Sequence, residues 1–78
     1  MKPIEMIAWF TKNGVPTPIR LRLEDNVIRV GRVISRSEEK LAGNRMLIYS
    51  CQSEIGGELR SFELKYELQT CRWFLFKM

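Results

Sequence analysis

Five arginines, Arg20, Arg22, Arg29, Arg32 and Arg36, crowd into seventeen residues of a 78-residue chain. The guanidinium group is a rigid fork of donors that grips phosphate in two places at once. Around these residues the segment Ile19–Val30 reads as a β-hairpin: Ile19, Leu21 and Leu23 alternate on one strand and Ile28 and Val30 on the next. The apolar set faces a core and the arginines face out. Placing Leu23 against Ile28 predicts Arg22 opposite Arg29, two like charges whose repulsion an anionic partner could offset.

Other chemistry is sparse. There is no histidine, so the commonest general base and the commonest metal ligand are both missing. Cys51 and Cys71 are the two cysteines; in a reducing compartment such a pair reads as two packed thiols, and two thiols alone do not complete a zinc site. Glu24, Asp25, Glu38, Glu39, Glu54 and Glu58 fall in expected turns, where acids are solvated. Glu63 and Glu67 alternate onto a face expected to be wet, so no carboxylate pair has the buried, unequal surroundings of an acid–base couple. Gly56-Gly57 lacks the lysine-bearing pattern of a phosphate loop and reads as a turn. These residues point away from catalysis, metal and cofactor. Trp9, Trp73, Phe74 and Phe76 offer rings on which single-stranded bases stack, although aromatics in so small a core more commonly pack.

The elements that must position these residues are short strands. Pro3–Thr11 alternates Ile4, Met6, Ala8 and Phe10 against Ile7 and Trp9, and Asn13-Gly14 closes a hairpin. Pro16 and Pro18 start the second strand at an edge or delay its pairing to Ile19. In the third strand, residues 27–35, a bulge at Gly31 returns Arg32 to the Arg20/Arg22 face and sends Val33 inward. Ser35 three residues before Glu38, with Gly43 behind, predicts a short helical turn over residues 36–41. Residues 45–53 and 59–67 are the fourth and fifth strands, the latter with Phe62, Leu64 and Tyr66 inward and Glu63, Lys65 and Glu67 in water. In the last, residues 71–78, Trp73 is expected against Leu64 and Leu75 against Phe62. Phe74, Phe76 and Met78 then lie on a face that needs a cover. Six strands at roughly ten-residue spacing predict an all-β fold: one antiparallel meander curling into an SH3-like or open barrel, whose first and last strands either pair with each other or form a dimer interface.

Hydrophobic residues make up 45% and charged residues 28% of the chain, with a net charge of +4. That is ordinary globular composition for a single domain spanning residues 1–78. Residues 1–36 hold seven Lys or Arg against three acids, whereas residues 37–78 balance six against six. No apolar run reaches the roughly 18 residues that span a bilayer, and the N-terminus lacks the apolar stretch of a signal peptide, so a cytoplasmic location without membrane contact is expected.

Phe62-Glu-Leu-Lys-Tyr66 followed by Cys71-Arg-Trp-Phe-Leu75 resembles the end of a family of short, uncharacterised bacterial domains. Pro18-Ile-Arg-Leu-Arg22 and Val30-Gly-Arg-Val-Ile34 resemble the arginine-rich hairpin of that family, so the likeness runs from about Pro16 onward. Some members resemble companions of translesion-polymerase-like proteins, and the resemblance therefore implies a DNA-associated role. The chain departs from the family at Leu21-Arg-Leu-Glu24, where an aromatic and a glycine turn are usual.

Two functions are compatible with this sequence. The leading expectation is a non-catalytic binding module that contacts nucleic acid, or an acidic protein, through Arg20, Arg22, Arg29, Arg32 and Arg36. The alternative is a protein-interaction or homodimeric subunit that uses the strand bearing Phe74, Phe76 and Met78.

Overall fold

The computed structural model describes all 78 residues. Strand-forming alternation and turn residues are realised as seven antiparallel strands, β1 (Lys2–Phe10), β2 (Pro16–Leu23), β3 (Asn26–Arg29), β4 (Arg32–Leu41), β5 (Asn44–Ile55), β6 (Glu58–Glu67) and β7 (Arg72–Lys77). They form one sheet in the order β3-β2-β1-β7-β6-β5-β4, without a helix. No helix is long and apolar enough to cross a membrane.

β1 is shared between two parts of the sheet. Its first residues, Lys2–Ile4, pair with β7, and Glu5–Phe10 pair with β2. The sheet curls at this strand, and Leu21 of β2 is buried in one cluster with Tyr49, Cys51, Phe62, Leu64, Tyr66, Trp73 and Leu75. Tyr49 and Tyr66 flank Trp73 at ring-centroid distances of 5.4 and 4.8 Å, within the range of favourable aromatic pairs. The curl does not close. Its two edge strands, β3 and β4, are consecutive in the chain, joined by Val30 and Gly31 alone.

Gly31 makes that junction possible. Its N–H donates to Gln52 O and to Ser53 Oγ, each at 3.0 Å, and a Cβ at this position would meet Gln52 O at 2.8 Å. Only a residue without a side chain lets the two backbones approach so closely. Val30 and Val33 both pack against the core and Arg32 is exposed, which is the pattern expected from one extra residue at Gly31. The expected single strand over residues 27–35 is therefore two strands bent at this glycine. A second irregularity lies between Val33 and Ser35.

The helical turn expected over residues 36–41 is absent. Arg36–Leu41 continues β4, paired residue by residue with Tyr49 down to Asn44, and Ala42-Gly43 turns the chain with φ of 51° and 83°. The Ser35…Glu38 spacing is a local helix signal, and a long ladder to β5 outweighs it. The polar composition of this stretch suits an exposed edge strand, where charged side chains discourage pairing with other chains. β2 starts at Pro16 rather than Ile19. Both prolines are buried and paired with β1, in the part of β2 that β3 does not reach. The missing N–H groups thus fall where no second ladder needs them.

Candidate nucleic-acid interface

The β2–β3 hairpin closes through a two-residue turn, Glu24-Asp25, with Glu24 at a φ of 56°. Leu23 consequently pairs with Asn26, Leu21 with Ile28, and Arg20 with Arg29. The expected opposition of Arg22 and Arg29 is corrected by two residues: Arg29 faces Arg20, and Arg22 faces Val27. A shift of two preserves which side chains share a face, so the arginines remain on the outside.

Arg22 is not free. Its Nη2 donates to Glu5 Oε1 at 2.9 Å and its Nε to Glu5 Oε2, a two-pronged ion pair across β1 and β2. The hydrogen bonds from Arg22 hold the Glu5 carboxyl below its usual range. Arg20 and Arg29 differ, since neither has a carboxylate oxygen within 4.0 Å. Arg32 is exposed on β4 opposite Gln52. Arg36 faces Tyr49 and acts on its hydroxyl, which places it on the core side of β4 and away from the outer face of β2. The five arginines thus divide into an unneutralised opposed pair, one held by Glu5, and two on the other edge strand.

The outer face around the pair is apolar. Ile7 of β1 lies directly across from Arg20, and Trp9, two residues further along β1, lies across from Thr17. Exposures of 54% for Ile7, 71% for Trp9 and 61% for Val27 ring two free guanidinium groups with three large uncovered side chains. Alternation had placed Ile7 and Trp9 together on one side of β1. Their position beside Arg20 needed the β1–β2 register, which also contains an irregularity between Ile7 and Ala8.

The face bearing Phe74 and Phe76 is less open than alternation suggests. β6 and β7 pair Leu64 with Leu75 and Tyr66 with Trp73, two residues away from the expected register, because Leu68–Cys71 forms the turn with Cys71 at a φ of 59°. Lys65, expected in water, is buried. Its Nζ lies 4.0 Å from the centre of the Phe76 ring and 3.3 Å from Glu39 Oε2. Lys77 and Arg72 stand over Phe76 and Phe74 at 5.3 and 5.4 Å. Long basic side chains thus cover part of this face with their stems. Phe76 and Met78 remain exposed, beside Met1.

Three further carboxylates are engaged with cations: Glu38 with Arg45, Glu39 with Lys65, and Glu63 with Lys77. Cys51 is buried and Cys71 exposed, both as free thiols. No family model, curated protein or solved structure matches this chain.

Proposed function

We propose that the protein is a non-catalytic binding module that holds nucleic acid by its phosphate backbone, with Arg20 and Arg29 as the contact pair. The observation that supports this is their direct cross-strand opposition, exposed and without a carboxylate partner. Opposed like charges on a sheet destabilise it by about a few tenths of a kcal/mol, and a phosphate lying between two forks converts that repulsion into charge-assisted hydrogen bonds. Arg22, already held by Glu5, contributes less. Such contacts neutralise phosphates and carry no direct sequence information.

Titration of the protein into labelled DNA and RNA at about 50 and 200 mM salt tests the reading, because displaced counterions make phosphate binding fall steeply across that range. Binding is expected at the lower salt and strongly weakened at the higher. The double variant Arg20→Gln/Arg29→Gln should bind more weakly at both, with a salt slope shallower by roughly two charges. Equal affinity in the double variant would remove the pair from the interface.

A second reading, self-association through the C-terminal strand, is favoured by the exposure of Met1, Phe76 and Met78 around one shallow depression lined also by Leu23 and Leu75. Its test is the native mass of the wild type and of Phe76→Lys. A dimer that this substitution dissociates supports it, and a monomer in both removes it.

A further inference from the structure

We infer that the outer face of β1–β3 takes single strands in preference to duplexes, with one base stacked on Trp9 while neighbouring phosphates lie at Arg20 and Arg29. This rests on the nucleic-acid reading above and specifies its ligand. The two tryptophans have opposite environments. Trp73 is 6% exposed and packed between two tyrosines, whereas Trp9 is the most exposed large hydrophobic residue of the chain at 71%, with no aromatic ring against it. An indole standing clear of its sheet gives folding little and offers a flat π-face to a ligand.

Its neighbours define that ligand. Trp9 lies two residues along β1 from Ile7, the partner of Arg20, across the irregularity between Ile7 and Ala8. Arg29 continues the row on β3. One aromatic platform followed by two unneutralised guanidinium groups alternates in the way a strand of nucleic acid alternates base and phosphate. In a duplex the base faces are covered by their own neighbours, so Trp9 has nothing to stack on. An acidic peptide would satisfy the arginines and leave Trp9 and Ile7 uncovered.

The test uses a fluorescein-labelled oligothymidine of about ten nucleotides, within the range one small sheet domain covers, and a duplex of equal phosphate count. Wild type should prefer the single strand, and binding should quench tryptophan emission in wild type but not in Trp9→Phe, in which only the buried Trp73 reports. Trp9→Ala should lose about five- to a hundredfold in single-strand affinity and leave duplex binding within about twofold. Its unaltered thermal melt would show that the fold persists, as expected for so exposed a side chain. A loss with Arg20→Gln/Arg29→Gln but none with Trp9→Ala, or equal losses on both nucleic acids with Trp9→Ala, overturns the single-strand inference and leaves phosphate binding standing. Displacement of the oligonucleotide by a polyglutamate peptide of equal charge also overturns it. Absence of binding to either nucleic acid at low salt overturns both.

Discussion

The Tyr49 hydroxyl donates a hydrogen bond to the main-chain carbonyl of Pro16, joining β5 to the first residue of β2 across the core. Both residues are fully buried, and burial raises the tyrosine's pKa, opposed by the nearby Arg36 guanidinium. This bond links the two parts of the curled sheet at a point where no ladder does. Tyr49→Phe should leave the Pro16 carbonyl buried without a donor, at a cost of about 1–3 kcal/mol. The urea midpoint of the variant checks this, and a midpoint equal to that of wild type would show that the bond contributes nothing net.

Gly31→Ala should be destabilising by about 1–3 kcal/mol, as overpacked substitutions are. The cause is a collision, since the new Cβ would come to 2.8 Å of Gln52 O and disturb the junction that bends β3 into β4. Ala at Gly14, where nothing lies within 4 Å but φ is 82°, is a useful comparison. Its cost comes from left-handed backbone alone, about 1 kcal/mol or more. Thermal melts of the two variants separate contact from conformation, and a Gly31→Ala protein as stable as wild type would refute the close approach.

The two thiols should react at very different rates. Cys51 is 1% exposed and burial pushes its pKa up to about 11, which removes both access and thiolate, the reactive form. Cys71 lies exposed in the β6–β7 turn. A chromogenic disulfide reagent at about pH 8, near the ordinary thiol pKa, should label one thiol per native chain and two after unfolding. Peptide mapping should place the native label on Cys71. Rapid labelling of Cys51 in the native protein would contradict its place in the core.

Acid should destabilise the protein through two carboxylates. Glu67 accepts hydrogen bonds from Thr70 Oγ1 and Asn44 Nδ2, and Glu5 from Arg22; both carboxyl groups titrate below the ordinary 4.5. A folded-state pKa lower than the unfolded one means that the unfolded chain binds more protons in that window. The stabilisation is therefore complete above about pH 4.5 and is lost as pH falls through the lower folded-state values. Urea midpoints at about pH 7, 5 and 3 should fall mainly at the last step. Glu67→Gln should show a smaller fall than wild type, and parallel curves would exclude Glu67 from the acid response.

Much of the fold is legible because hydrophobic alternation is a local property. Alternation separates Ile4, Met6 and Ala8 from Ile7 and Trp9, both sets apolar, and the structure turns the first toward the core and the second outward. Phe62, Leu64 and Tyr66 are buried for the same reason. Face assignments also survive errors of register, since a strand repeats every two residues: shifts of two positions keep Arg20, Arg22 and Arg29 outside and Trp73 and Leu75 inside, whereas the irregularity between Glu63 and Leu64 carries Lys77 to the face of Glu63. The arginine pair shows what such an error changes. Arg22 belongs to the expected face, but a two-residue turn at Glu24-Asp25 gives Arg29 to Arg20 instead and leaves Arg22 to Glu5.

Residue types and their spacing alone determined an all-β chain, its turns at Asn13-Gly14 and Gly56-Gly57, the slip at Gly31 and the outward-facing Arg20, Arg22 and Arg29. Each of these follows from interactions within a few residues. Tertiary structure decided the rest, because ladders and core contacts join residues far apart in the chain. Pairing with β5 made residues 36–41 a strand in place of a helical turn. Contacts with Glu39 and Phe76 took Lys65 out of water. The β1–β2 register set exposed Trp9 beside Arg20, because alignment between strands depends on turn geometry and packing that no single segment contains.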